Sequence, residues 1–134
     1  MILFTDADDK SAYTKFFPLD SNSFAPTTLF EHIGNHNPVA LDYDYVEGRV
    51  YWSDNAQGRI MSAFLNATSV KILFYCNVNN PEGLAIDYVG RKIYWTDAGT
   101  NRIEVGLLDG NGRKLLIKDG LDEPMAIVLH LKNR

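Results

Sequence analysis

The stretch GLAIDYVGRKIYWTD at residues 83–97 joins two short β-prone runs through a turn that contains glycine. A similar stretch, VALDYDYVEGRVYWSD, occupies residues 39–54, and its Tyr51 lies 43 residues before Tyr94. A repeat of about this length without a helical segment is typical of the four-stranded blades of β-propellers. The repeat therefore predicts an all-β chain built from such blades.

The two stretches align through the tetrapeptides Val39–Asp42 and Leu84–Asp87, which makes Asp42 and Asp87 equivalent. The spacing from these aspartates to the Tyr-Trp pair then differs, being nine residues in the first stretch and seven in the second. Each stretch also contains a Gly-Arg dipeptide between its two runs. We expect these dipeptides to form the turns between the first and second strands.

Further apolar runs complete four strands in each repeat. Segments rich in Gly, Asn and Asp separate these runs and supply the positive φ angles that tight hairpins need. No stretch of ten or more residues keeps a helical period. The predicted strands are 84–88, 92–96, 102–108 and 113–118 in the second repeat, and the outer strands of the first repeat are 60–65 and 70–74.

The two ends of the chain read as incomplete copies of the repeat. Leu3–Asp6 occupies the place of Tyr-Trp-Thr-Asp, and residues 13–19 and 27–30 supply the two following strands. At the other end, Pro124–His130 reads as the first strand of a blade. The sequence therefore predicts one domain, residues 1–134, with three blades at residues 124–131 plus 1–31, 38–75 and 82–118.

Three blades cannot close a ring, since each blade of a six-bladed propeller spans roughly 60°. The end sheets of a half-ring would expose apolar faces and an unpaired strand edge, both of which promote association. A two-fold homodimer would cover these surfaces if Pro124–His130 of each copy completed the first blade of the other. The alternatives are that the chain is an excised part of a larger ring or that its other half is a different chain.

The composition argues against several classes of protein. A net charge of −4 and an isoelectric point near 5.2 argue against a nucleic-acid partner. The longest apolar runs, such as Met125–Leu129, are too short to cross a bilayer. The N-terminus lacks the features of a signal peptide, so a secreted protein would be present here in mature or trimmed form. The single cysteine, Cys76, cannot form an internal disulfide and is expected to be a small apolar filler.

The tetrapeptides Tyr51–Asp54 and Tyr94–Asp97 share the same surroundings. Each is preceded by an Ala-(Leu/Ile)-Asp strand and a Gly-Arg turn, and in this combination they resemble the YWTD repeat of low-density-lipoprotein-receptor class B domains. The resemblance covers nearly the whole chain. It implies a six-bladed propeller in an extracellular or cell-surface protein, with the motif on the second strand of each blade.

Two positions depart from the pattern of that family. Leu3-Phe4 replaces Tyr-Trp in the first copy, which keeps the apolar volume and loses the polar atoms. His130 occupies the position at which the other two repeats, as aligned above, have Asp42 and Asp87. We expect His130 to be an ordinary residue of the seam between copies rather than one that makes the seam sensitive to pH.

We expect the motif residues to be architectural. Trp52 and Trp95 suit the gap between neighbouring blades, where each would bury on the order of 150–250 Å². Aspartates at strand ends accept hydrogen bonds from backbone N–H groups more often than they bind calcium or act in catalysis. The predicted motif set is Leu3, Phe4, Thr5, Asp6, Tyr51, Trp52, Ser53, Asp54, Tyr94, Trp95, Thr96 and Asp97.

No arrangement of residues indicates a catalytic site, a metal site or a cofactor. The histidines are not spaced with cysteine or carboxylate as metal ligands are, and no glycine-rich phosphate loop is present. The sequon that begins at Asn66 falls on an outer hairpin, where a glycan could attach. Tyr43 and Tyr45 are candidate exposed aromatics on the face opposite the predicted ligand surface.

The predicted ligand surface consists of the loops after the second strands and the loops that lead into the first strands. The resemblance implies partner recruitment there, near the central channel. Mixed charge and amide groups suit polar recognition. The candidate residues are His36, Gln57, Arg59, Glu82, Asn101 and Arg102.

These observations predict a non-catalytic, extracellular protein-interaction module of a receptor or matrix protein, acting as a dimeric propeller. The competing interpretation is a hydrolase of the lactonase or phosphotriesterase kind, since such six-bladed enzymes use strands that resemble Gly83–Asp87. These enzymes hold an axial calcium through Glu, Asn and Asp side chains. A purely structural fragment is the third possibility.

Overall fold

The chain is described by a computed structural model, which covers the backbone of residues 2–8, 11–17, 27–28, 37–65 and 68–131 and the side chains from residue 37 onward within these ranges. The described residues contain strands and turns and no helix, so the all-β prediction is confirmed. The strands are β1 (Ile2–Asp8), β2 (Ser11–Phe17), β3 (Thr27–Thr28), β4 (Pro38–Asp44), β5 (Arg49–Asp54), β6 (Arg59–Phe64), β7 (Lys71–Phe74), β8 (Pro81–Asp87), β9 (Lys92–Asp97), β10 (Arg102–Leu107) and β11 (Lys114–Ile117).

The strands form three antiparallel meanders. The N-terminal sheet has the order β1-β2-β3, the middle sheet β4-β5-β6-β7 and the C-terminal sheet β8-β9-β10-β11. The two four-stranded sheets are propeller-like blades. Their first strands, β4 and β8, lie beside one another, and β1 lies beside β4.

The register shows that the 43-residue period extends through the whole first strand. Pro38 lies opposite Asp54 and Pro81 lies opposite Asp97, while Asp44 and Asp87 pair with the first residues of β5 and β9. Asp44, and not Asp42, is therefore the counterpart of Asp87. The sequence alignment of Asp42 with Asp87 is wrong by two residues, because a shift of two along a strand keeps every side chain on the same face.

The turns between the first and second strands follow the same corrected register. Gly48, with φ of 71°, is the counterpart of Arg91, with φ of 58°. The two Gly-Arg dipeptides are therefore offset by one residue, since Arg49 already belongs to β5 while Arg91 ends its turn. Glycine adopts this left-handed conformation without steric cost, whereas arginine does so against its preference.

The main apolar core lies between the middle and C-terminal sheets. Tyr51 and Ile60 from the middle sheet belong to one buried cluster with Leu84 and Ile93 from the C-terminal sheet. The ring of Phe74 stacks on Trp95 with centroids 4.9 Å apart. Because side chains alternate along a strand, Trp52 belongs to a second cluster on the opposite face of the middle sheet, with Val50, Met61 and Ala63.

The face of the C-terminal sheet that points away from the middle sheet is open. Leu73 and Phe74 of β7 are 9% and 5% exposed, but their counterparts in β11, Leu116 and Ile117, are 51% and 44% exposed. Tyr94 is half-buried, whereas Tyr51 at the same position of the middle sheet is buried. Equivalent residues are thus buried in the middle sheet and exposed in the C-terminal sheet. This exposed surface of the C-terminal sheet is called the open face below.

The predicted terminal strand, Pro124–His130, belongs to no sheet within the described chain. It nevertheless runs close to β8 and β9, since the hydroxyl of Thr96 donates a hydrogen bond to the carbonyl of Met125. A Cβ at Gly83 would lie 2.0 Å from the same carbonyl oxygen, so this approach requires glycine. No described strand is hydrogen-bonded to the edge of β1 away from β2, and pairing of β1 with residues 124–130 of another copy stays a prediction.

Candidate functional site

The loops after β5 and β9, together with the segments that lead into β4 and β8, form one end of the two complete sheets, called the loop face below. Asp97 closes β9 at this end and is fully buried. Its Oδ1 accepts hydrogen bonds from the backbone N–H groups of Gly99 and Asn80, at 2.9 and 3.0 Å, and its Oδ2 accepts one from Asn79 at 2.8 Å. One carboxylate therefore fixes both the turn after β9 and the segment that enters β8.

Asp54 occupies the same position in the middle sheet and is also fully buried. Its Oδ1 accepts hydrogen bonds from the backbone of Asn37 at 2.9 Å and of Ala56 at 3.0 Å. Its Oδ2 forms an ion pair with Arg59 at 3.3 Å. The two motif aspartates thus hold the backbone of the loop face in the same way in both sheets, and they determine where the neighbouring side chains lie.

The hydroxyl groups of Ser53 and Thr96 in the two motifs stabilise the backbone at the start of the first strand of each sheet. The ladder between first and second strands shifts register within residues 38–41 and again within residues 81–83. At these shifts the backbone N–H groups of Ala40 and Gly83 donate to Ser53 Oγ and Thr96 Oγ1, each at 2.9 Å. A bulge leaves a backbone donor unpaired in the ladder, and the hydroxyl compensates for it.

Glu82 is tied to a residue that sequence reasoning missed. Asn55, directly after the motif Asp54, donates from Nδ2 to Glu82 Oε1 at 2.8 Å, so the bond joins the middle sheet to the C-terminal sheet. The Oδ1 atom of Asn55 and the hydroxyl of Thr100 are buried and have no hydrogen-bond partner among the described residues. The sequence signal for this residue was an asparagine in the turn directly after the motif, where Asn is frequent.

The remaining candidates of the loop face are distributed over both sheets. Asn101 accepts a hydrogen bond at Oδ1 from the backbone N–H of Glu123 at 2.9 Å. Gln57 is exposed and Arg102 is half-buried. The structure thus brings Glu82 and Asn55 together and pairs Arg59 with Asp54, as described above. His36 and the sequon residue Asn66 lie outside the described residues.

The opposite end of the sheets carries an ion pair that bridges them. The guanidinium of Arg91 contacts the buried carboxylate of Asp44 through two hydrogen bonds, of 2.7 and 2.6 Å, and lies 3.3 Å from Glu47. Burial alone would raise the pKa of Asp44, but the hydrogen bonds from Arg91 and from the backbone outweigh it and the pKa is lowered. Burial, with the nearby charge of Asp44, raises the pKa of Tyr51 to about 12.

Three aromatic rings lie at this opposite end. Tyr45 is exposed and makes edge contacts with Tyr43 and Tyr88, at centroid distances of 5.1 and 5.5 Å.

In the described part of the chain, no group of three or more His, Cys, Asp or Glu side chains is placed to hold a metal ion. The same residues include no helix of the length and apolarity needed to span a membrane.

Comparison with solved structures supports the propeller architecture. The fold superposes on a chain in the crystal structure of a nidogen/laminin complex with a TM-score of 0.77 and 29% sequence identity, over 90% of this chain and 45% of that chain. This chain therefore spans less than half the length of that relative. The computationally designed Ika4 protein superposes with a TM-score of 0.57 at 14% identity, over 94% of this chain and 78% of that one, and this likeness concerns the fold alone.

The sequence pattern itself matches a family model. The model for the low-density lipoprotein receptor repeat class B matches residues 48–88 and again residues 91–131, which together are more than half of the chain. Each match includes one Tyr-Trp motif with its buried aspartate. The chain belongs to the family of low-density lipoprotein receptor class B repeats.

Proposed function

We propose that the chain is a non-catalytic, extracellular module that binds another protein through its loop face. Family membership and the likeness to a chain from a complex between two proteins support a binding role. The observation that carries the proposal is a loop face whose backbone is held by Asp54 and Asp97 and which presents the polar side chains of Gln57, Glu82 and Arg102.

Such a surface suits protein recognition because little conformational freedom is lost on binding. The Asn55–Glu82 hydrogen bond fixes two polar side chains across the boundary between the sheets, and Arg59 is fixed by Asp54. Exposed Gln57 and half-buried Arg102 add polar groups around them.

The proposal is tested by surface plasmon resonance against a panel of extracellular proteins that includes laminin. We expect a binder in the panel, and we expect Glu82→Ala and Arg102→Ala each to lower its affinity by about tenfold or more, as loss of a central interface residue does. Glu47→Ala is the matched control for Glu82→Ala, because Glu47 is exposed and lies in the β4–β5 turn at the opposite end of the sheets. Equal affinity of all variants would contradict the assignment of the surface.

Extracellular location and glycosylation are part of the proposal. Secretion from animal cells followed by mass measurement, with and without glycosidase treatment, reports whether Asn66 carries a glycan.

His36 is proposed to add to the loop face from the segment that enters β4. A calcium-dependent rise in melting temperature would instead support the alternative of a hydrolase with an axial calcium.

We further propose that the three sheets are three blades of a six-bladed ring, completed by a second copy of the chain. The open face supports this proposal, because the equivalent residues of the middle sheet are covered by the C-terminal sheet. Residues 124–130 lie outside any sheet and β1 has an edge to which no described strand is hydrogen-bonded, so each could complete the other between copies. Receptor and matrix proteins are both compatible parents.

A further inference from the structure

We propose that the cleft between the middle and C-terminal sheets, at the end of β5 away from the loop face, is a binding site for a sulfate or phosphate group. The cleft has a volume of about 370 Å³, and Arg49 and Lys71 are the groups that would hold the anion. Arg91, Glu47 and Asp109 also contribute to its lining. This site is separate from the proposed protein-binding surface.

Arg49 carries the first part of the argument. It is only 4% exposed, and its guanidinium donates to Ser62 Oγ at 2.9 Å and to the carbonyl of Ser69 at 2.7 Å, with its carbon 4.5 Å from the centre of the Phe64 ring. No carboxylate among the described residues lies within ion-pair distance of Arg49. A buried cation without a counter-ion is energetically unfavourable, so an anion in the adjoining cleft would stabilise it.

Lys71 supplies the second cation. It lies directly opposite Ser62 in the β6–β7 ladder, and Ser62 is the residue whose hydroxyl accepts from Arg49. Lys71 is exposed, and no ion pair is found for it among the described residues. Arg49 and Lys71 therefore lie on either side of one side chain and contribute to the same cleft.

The acidic residues of the cleft do not neutralise this pair. Glu47 lies 3.3 Å from Arg91, which is also bound to the buried carboxylate of Asp44. Asp109 accepts a hydrogen bond from the backbone of Asn111 within its own turn. The charged residues that line the cleft are three cations and two carboxylates, a net charge of +1, and the remaining carboxylate beside them, Asp44, is buried and bound to Arg91.

The same pair of positions is basic in the next sheet. Lys92 and Lys114 follow Arg49 and Lys71 by 43 residues, and both contribute to a cleft of about 320 Å³ on the open face. No sheet formed by the described residues covers this second cleft. The recurrence of two basic residues at equivalent positions, in a protein with a net charge of −4, is the independent observation that favours an anion.

The chemistry favours a tetrahedral oxyanion over a carboxylate alone. Both hydrogen bonds of Arg49 within the chain use Nη2, so another N–H group of the guanidinium donates to one oxygen of the anion, and the ammonium group of Lys71 acts as a point charge on a second oxygen. The group could come from a free ion or from a sulfated polysaccharide. Both sources carry a cluster of negatively charged oxygens that contacts Arg49 and Lys71 together.

The test follows the backbone amide signals of Ser62 and Lys71 by NMR in the full chain, during titration with sodium sulfate, sodium phosphate or a heparin-derived tetrasaccharide. Sodium chloride of equal ionic strength corrects for screening. We expect saturable shifts with the oxyanions and not with chloride. Lys71→Gln should weaken binding by about fivefold or more.

Lys118→Gln is the matched control, because it removes the same charge from an exposed residue that contributes to neither cleft. Arg49→Lys keeps the charge and tests the contribution of the guanidinium donors, and Lys71→Gln still decides the outcome if the Arg49 variant does not fold. Binding of the tetrasaccharide alone identifies a polysaccharide source, and binding of inorganic ions identifies the free anion. Equal effects of Lys71→Gln and Lys118→Gln, or no saturable shift, would overturn the proposal.

Discussion

The side chain of Asp97 shows how a recurring motif residue can serve architecture. Its carboxylate accepts hydrogen bonds from the turn that follows it and from the segment that enters the same sheet. Asp54 makes corresponding contacts with Ala56 and Asn37. The recurrence of aspartate at this point in the sequence therefore reflects the recurrence of the same backbone geometry.

Gly106 provides a prediction at the scale of one residue. A Cβ at this position would lie 2.3 Å from Cζ of Phe74, whose ring is stacked against Trp95 and has little room to move. We expect Gly106→Ala to lower the free energy of unfolding by about 1–3 kcal/mol through overpacking. Chemical denaturation measures the change.

The control for this prediction is a double-mutant cycle. Phe74→Leu removes the ring that the new methyl group would meet, so Gly106→Ala should cost clearly less in the Phe74→Leu background. The middle sheet accepts Ala63 at the corresponding position. An identical cost in both backgrounds would show that overlap with Phe74 is not the cause.

At the scale of strands, the sequence identified the elements but not their register. The apolar runs and turn residues predicted strands close to the observed β8 to β11, because period and turn chemistry are local properties. The pairing of Asp44 with Arg49 was missed, since Asp42 and Asp44 both fit the alternating pattern and a shift of two keeps the same face. The interaction of Asp44 with Arg91 depends on that register and could not be foreseen.

The Asp44–Arg91 pair gives a prediction that depends on pH. Asp44 is buried, and its folded pKa is lowered from 3.8, so its contribution to stability is present above pH 3.8 and is lost as the pH falls through the lower folded value. We expect Asp44→Asn to lower the free energy of unfolding at pH 7 by about 1–3 kcal/mol, since Arg91 remains partly in contact with water. The difference between variant and wild type should shrink below pH 3.8.

Glu47→Gln is the control for this pair. Glu47 also contacts Arg91, but its side chain is 58% exposed, and exposed ion pairs contribute at most about 1 kcal/mol. Urea denaturation at a series of pH values compares the two variants. A pH-independent difference for Asp44→Asn would contradict the assignment of its effect to the carboxylate charge.

At the scale of the molecule, the sequence predicted the kind of fold and a candidate surface, but not the contacts within that surface. The repeat length and the Tyr-Trp motifs were sufficient for the propeller-like sheets, because they recur with the architecture. Glu82 was predicted as a candidate from its loop position, and its role in binding stays a prediction. Its partner Asn55 belongs to the other sheet, 27 residues away, and such pairing follows from the arrangement of sheets rather than from a local pattern.

The open face leads to a prediction about assembly. If a second copy completes the ring, light scattering should give a molar mass of about 30 kDa, twice the 15.1 kDa of one chain. Leu116→Lys should return the protein to one chain, because Leu116 is exposed in the single copy and a buried lysine at the seam would be strongly unfavourable. Val46→Lys changes an equally apolar, exposed residue in the β4–β5 turn and should leave the mass at about 30 kDa. A wild-type mass of 15.1 kDa, or a dimer that tolerates Leu116→Lys, would assign the open face to a different covering partner, such as further blades of a longer chain.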